Sequence, residues 1–374
     1  MHNSTRTKVQ FSVKLVAVLI GGILLLQGCG THAPALIGTP LKTESTSENT
    51  PNTQEQFDSL TTYLEENLET SAMVILQNGN VIYEYGDVSE VSYLASCRKS
   101  VLSILYGKYV ENGTIDLDET IGEIGIDEKD GLLPTEKKAT VDQIITARSG
   151  VFHRPANGGY DKNNILERGS VQPGDYFVYN NWDFNVAGHI LEVKTGNTVY
   201  EEIEEQLAIP LGFQDWNIKN QKKKTAARKS NFPAHHIYLS TRDMAKIGQL
   251  MLNKGQWEGK QLISGNWIEQ ITTTVTPVDT VNKRYGLNEN SDYQFSYGRM
   301  WWLAENIQNN SDFEGAYTAT GWGGQFITVI PKLNMVVAHK YAVPTLVNWG
   351  IRKGGVSDAQ YWSLLTRFVS GNSD

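Results

Sequence analysis

The chain has 374 residues, 40% of them hydrophobic and 20% charged, with 41 acidic against 33 basic side chains and a formal net charge of -8. That balance, with no basic run, argues against nucleic acid or an anionic membrane surface as the main partner. The length allows a sizeable core in one or two domains, and two cysteines are too few for a disulfide framework.

Residues 1–28 read as a targeting segment. Arg6, Lys8 and Lys14 lead into LVAVLIGGILLLQG, an apolar stretch too short to span a membrane comfortably. It ends in Leu26-Gln27-Gly28-Cys29, which resembles a bacterial lipobox. Cleavage before Cys29 would leave a lipidated cysteine and a protein anchored in the cell envelope, on the outer membrane facing the periplasm if the cell has two. The alternative is an uncleaved signal anchor. With Cys29 lipidated, Cys97 has no partner, and it reads as a small packed residue. Residues 29–55, rich in Thr, Ser, Pro and Asn, read as a flexible tether.

From 56 to 374 the pattern is one folded domain. FDSLTTYLEENL (57–68) has helical spacing, and AMVILQNGNVIYEYG (72–86) reads as two strands joined at Asn78-Gly79. Helical signals dominate about 96–289: KSVLSILYGKYVENG ending at Gly113, TVDQIITARSGV capped by Thr140, FNVAGHILEVKTG ending at Gly196, and STRDMAKIGQLMLNKGQW. Strands return in FSYGRMWWLAE and AYTATGWGGQFITVIPKLNMVVAHKYA, and SDAQYWSLLTRFVSG closes the chain as a helix. Sheet parts at about 57–95 and 290–374 around a large, mainly helical insertion predict an α+β fold: an antiparallel sheet flanked by helices, with a cleft between the two parts.

The chemistry starts at ASCRKSVLSIL (95–105), where Lys99 follows Ser96 by three residues at the head of an apolar helix. One helical turn puts both side chains on one face. The plain alternative is a helix cap and a surface lysine. A Ser-x-x-Lys alone is a weak signal, since about one chance match is expected in a chain this long. Its company is more telling. Tyr179-Asn180-Asn181 is the only Tyr-x-Asn, and TATGWGGQF gives a glycine-rich strand start later in the chain.

With VILQNGNVIYEYG, NGTIDLDETIGE, TVDQIITARSGV, TRDMAKIGQLMLNKGQWEGKQLIS and GWGGQFITVIP, these residues resemble the serine β-lactamase and penicillin-binding-protein superfamily over about 57–372. Within it, the chain resembles class C-like serine hydrolases: esterases, D-amino peptidases and 6-aminohexanoate-oligomer hydrolases. The resemblance implies an acyl-enzyme on Ser96, with Lys99 as base, Tyr179 as general base and later acid, and Asn181 orienting the lysine or substrate. It also implies an oxyanion hole from the backbone N–H groups of Ser96 and Trp322. Each has a bland alternative: Tyr179 as a packed aromatic, Asn181 as a helix cap.

The usual third motif of the superfamily, Lys-Thr-Gly, occurs at Lys194-Thr195-Gly196. It falls too soon after Tyr179, and Gly196 reads as a helix end. That role falls to Ala319-Thr320-Gly321, where Ala319 replaces the usual cation, which puts β-lactamase and D-Ala-D-Ala peptidase activity in doubt. Trp182 and His236 are further expected substrate contacts, with His235 and His236 alternatively a loop pair or satisfied core histidines. No His or Cys cluster has metal-ligand spacing, so neither a metal nor a cofactor is expected. The expected partner is a small-molecule or peptide-like substrate, no pattern specifies an oligomer, and the alternative of another class is a non-catalytic envelope-binding protein.

Overall fold

The computed structural model describes residues 38–43, 54–287, 291–342 and 354–371. Cys29 and the rest of the expected targeting segment lie outside the described residues. So does most of the expected tether, 29–55, apart from 38–43 and 54–55.

Eight strands form one sheet: β1 (Lys42–Thr43), β2 (Ala72–Gln77), β3 (Asn80–Gly86), β4 (Tyr293–Tyr297), β5 (Trp302–Ile307), β6 (Tyr317–Gly321), β7 (Gln325–Ile330) and β8 (Met335–Lys340). Their spatial order is β1-β3-β2-β8-β7-β6-β5-β4, antiparallel except where β1 joins β3 in parallel. The tether expectation is therefore corrected at one point. Lys42 and Thr43 pair with Asn80 and Val81, and Lys246 Nζ donates to Thr39 O at 2.7 Å, so this stretch is docked on the domain. The β2–β3 turn forms at Asn78-Gly79 because both residues take positive φ, 52° and 80°, as a two-residue hairpin turn of matching twist requires.

The sheet is covered on both faces. On one, helices α1 (Gln54–Asn67) and α5 (Asp358–Ser370) pack Leu60, Leu64, Tyr361 and Leu365 against Met73, Ile75, Phe326 and Val337. On the other, α2 (Cys97–Glu111) and α4 (Thr241–Leu252) meet Val74, Leu76, Ile327 and Val336. Double coverage explains why β2 reads as an unbroken apolar run instead of alternating. α2 is buried on nearly all sides, so it behaves as the central helix of the domain, not as an amphipathic surface helix. α3 (Asn181–Thr195) packs beside it and ends in a left-handed Gly196.

The insertion is less purely helical than the sequence suggests. Lys222–Ala226 and Ser230–His236 pair as an antiparallel ribbon, so His235 and His236 sit on a strand and not in a loop.

Candidate active site

The turn before α2 is built under strain. Ala95 has φ 49°, a left-handed conformation that costs a residue with a Cβ about 1 kcal/mol or more. Leu94 N donates to Ile237 O at 3.0 Å and Cys97 N to Leu94 O at 3.2 Å, which fixes the turn and starts the helix at Cys97. Ser96 is left at the helix mouth. Its hydroxyl makes no cap hydrogen bond, which sets aside the helix-cap reading. Lys99 Nζ lies 2.8 Å from Ser96 Oγ, and Tyr179 lines the same cavity as Ser96, near enough for the hydroxyl to influence its phenol.

Lys99 is 1% exposed, so it is no surface lysine. Its Nζ lies 3.9 Å from the Tyr179 ring centroid and 4.5 Å from that of Phe184. Burial among these rings holds its ammonium well below the ordinary lysine range, and the Arg98 charge pushes the same way, with Cys97 opposing weakly. A neutral amine here can take the Ser96 proton across the 2.8 Å contact. Tyr179, walled by Phe184, Trp302 and Tyr297, is pushed up by burial, against the weaker pull of the Ser96 hydroxyl. A phenol that keeps its proton is suited first to donate, so this geometry favours Lys99 as the initial acceptor and Tyr179 as the group returning a proton to the leaving group.

The oxyanion position is framed by two turns. Gly321 ends β6 where a Cβ would stand 2.5 Å from Leu94 O and 3.2 Å from Cys97 Sγ. Only glycine permits that approach, which packs the end of β6 against the turn before α2, and Ser96 and Trp322 line the same cavity. Neither the Ser96 nor the Trp322 N–H has a hydrogen-bond acceptor among the described residues. Cys97 is buried, its thiol pushed up by burial and directed at Ala319 O and Gln325 O, so it is packing and not a nucleophile.

Ser96, Tyr179, Thr320 and Trp322 open onto a cavity of about 670 Å3 whose other walls include Tyr285, Tyr293, Phe295, Trp302 and Trp362. Its described charged residues are Asp292 and Asp358, and no described Lys or Arg lines it. Trp322 is 67% exposed, an unusually open indole at the cavity edge.

Four expected contacts are placed elsewhere. Trp182 is fully buried and donates its Nε1–H to Glu128 at 2.8 Å, so it belongs to the core. Ala319 is 0% exposed and faces the α2 side of the sheet, because alternation along β6 turns Thr320, not Ala319, to the cavity. His236 stacks on Tyr93 at 4.3 Å, away from the cavity lining, its imidazole pushed down to about 4 by burial. Asn181 makes no hydrogen bond to Lys99: its Nδ2 donates to Gly158 O, and its buried Oδ1 has no partner among the described residues. The cap of α3 is Asn180, which accepts from Trp182 N at 3.4 Å. The Lys194-Thr195-Gly196 decoy is a helix end, with Lys194 paired to Glu119.

Sequence reasoning missed the aromatic walls Tyr285, Tyr293, Phe295, Trp302 and Trp362. Clustered aromatics in FSYGRMWWLAE were a signal, but only the sheet order brings them beside Ser96.

A serine hydroxyl 2.8 Å from a desolvated lysine and beside a partly buried tyrosine, at the mouth of a central helix, is the arrangement of a serine hydrolase. Known proteins agree. The family model described as beta-lactamase matches residues 57–340, and the chain belongs to that family. It is similar to the 6-aminohexanoate-dimer hydrolase of Paenarthrobacter ureafaciens, 23% identical over 364 residues that cover 87% of this chain and 89% of the relative. Among solved structures, a family VIII carboxylesterase superposes with TM-score 0.58 at 15% identity, covering 86% of this chain and 98% of its own. A penicillin-binding protein homologue from Caulobacter crescentus gives 0.55 at 14% identity, covering 78% and 93%.

Proposed function

We propose that this serine hydrolase cleaves a neutral, largely apolar ester or amide through an acyl-enzyme on Ser96, with Lys99 as base, Tyr179 as the proton donor to the leaving group and the Ser96 and Trp322 N–H groups holding the oxyanion. The observation that carries the substrate reading is the aromatic cavity beside Ser96, which has no described cation. Apolar acyl groups gain about 25 cal/mol per Å2 of area covered. A carboxylate enters unpaired beside Asp292 and Asp358 and loses its hydration without compensation. The names of similar proteins, a 6-aminohexanoate-dimer hydrolase and a carboxylesterase, are compatible with hydrolysis of such a bond.

The test compares kcat/KM for short p-nitrophenyl esters and for nitrocefin. The esters should lead by roughly 100-fold or more. Placing a cation in the cavity by Thr320→Lys should narrow that gap. Ala319→Lys should mainly destabilise, because it forces a lysine into the packed side of β6. Efficient nitrocefin turnover without esterase activity would instead support a β-lactamase or D-Ala-D-Ala peptidase.

The sequence Leu26-Gln27-Gly28-Cys29 supports a second proposal, attachment to the cell envelope through lipid on Cys29. No described helix is long and apolar enough to cross a membrane. Cys29→Ser should block processing or move the protein from the detergent to the aqueous phase on partitioning. A wild-type protein that mass spectrometry finds unlipidated would remove the anchor.

A further inference from the structure

Arg98 stands between the two residues that matter most and has no evident structural reason to be charged. It is 2% exposed, yet it forms no ion pair among the described residues. Its Nη2 donates to Asn185 Oδ1 at 3.0 Å. Asn185 is itself buried and fixed, donating through Nδ2 to Asn157 Oδ1 at 3.2 Å. A buried, unpaired guanidinium is expensive, and a neutral hydrogen-bonding side chain would join α2 to α3 at lower cost.

The surroundings leave that charge uncompensated. From its own helix Arg98 neighbours Lys99 and the buried Cys97 thiol. Its charge reaches Tyr93 in the segment before α2, Tyr179 in the segment before α3, and Tyr200 in the 199–203 helix. His235 and His236 face it from the 230–236 strand, both held toward the neutral form by burial. Glu192 is engaged by His235 at 3.2 Å and by Lys223 at 2.7 Å. Asp183 on α3 is engaged by Ser149 Oγ at 2.7 Å, and burial pushes its carboxyl well up.

We propose that Arg98 is a positioning residue that acts by its charge: buried and unpaired beside Lys99, it drives the Lys99–Tyr179 pair to release the proton that must be gone before Ser96 can attack. The inference rests on the acyl-transfer reading of the site. It does not depend on which partner loses the proton, because a nearby positive charge favours both neutral Lys99 and ionised Tyr179 over the fully protonated pair.

The test is the pH dependence of the second-order rate at which a fluorophosphonate labels Ser96. In that step the Ser96 Oγ–P bond forms, the P–F bond breaks, fluoride leaves, and the hydroxyl proton passes to the Lys99–Tyr179 pair. No substrate identity is needed. Labelling falls on the acid side as the pair takes up its proton, so losing the Arg98 charge should move that limb to higher pH. Arg98→Gln should move it by about one pH unit, the scale of one nearby unit charge in a protein interior. Arg98→Lys should stay within a few tenths of wild type. Asn185→Asp cancels the charge without removing Arg98, and should shift the limb in the same direction as Arg98→Gln. A limb that stays fixed in Arg98→Gln and Asn185→Asp, with equal rate losses in Arg98→Gln and Arg98→Lys, would overturn the proposal and leave Arg98 a structural tie. Absence of Ser96 labelling in the wild type at every pH would overturn the acyl-transfer reading, and this proposal with it.

Discussion

Ser96→Ala should abolish fluorophosphonate labelling and lower ester turnover by about 10,000-fold or more, while the protein stays folded. The size follows from what is removed: with no oxygen to acylate, only the oxyanion N–H groups and binding remain to favour hydrolysis. Retention of the fold follows from what Ser96 does not do. Its hydroxyl makes no cap hydrogen bond to α2, so the helix start is kept; the bond lost is the one to Lys99 Nζ at 2.8 Å, and the stability change should stay within about 1–2 kcal/mol. Ser100, one turn on, is the control with the opposite signature. Its Oγ donates to Met300 O at 2.6 Å in the core, so Ser100→Ala should keep labelling and lose about 1–3 kcal/mol of stability. Intact labelling of Ser96→Ala, with modification mapped to another serine, would sink the mechanism.

The legible part of this molecule is the part written in local chemistry. Caps at Thr140, Ser240 and Ser357, the Asn78-Gly79 turn and the Gly196 helix end all fall where their residue types demand. Ser96, Tyr179 and Trp322 line one cavity, and Lys99 reaches Ser96 at the mouth of α2. The errors concern direction. Trp182 follows Asn181 in sequence, but as a residue in the first turn of α3 it points to Glu128 and the core. Ala319 and Thr320 are neighbours, but strand alternation sends them to opposite faces, and only the sheet's pairing decides which faces the cavity. The aromatic walls come from 285–302 and 362, far apart in sequence and adjacent only because β4 and α5 both border the cleft. Arg98 was invisible for a different reason: next to a lysine at a helix start, a second basic residue reads as surface charge until its burial is seen.

Lys99→Met should lower acylation by about 100- to 10,000-fold and, at the same time, raise the melting temperature by a few degrees. The two effects share a cause. Lys99 is desolvated by burial and held well below the ordinary lysine range, whereas in the unfolded chain it stays protonated to about pH 10.4. Between the depressed folded value and that unfolded value the unfolded chain binds more protons, so wild-type stability rises with pH across the window. On the acid side the folded protein must bury a charge, and the full cost is present. Methionine has similar length and no charge, so its stabilising effect should be largest at acid pH and shrink toward pH 10. Tyr179→Phe keeps the ring against Trp302 and Phe184 but removes the proton donor, so it should slow turnover of poor leaving groups without that pH-dependent gain in stability. Because the two side chains serve one proton path to Ser96, the double variant should be little slower than the worse single one. Full additivity would separate their roles. Undiminished labelling of Lys99→Met would pass the base's role to Tyr179 and reverse the order of proton transfer argued from its buried phenol.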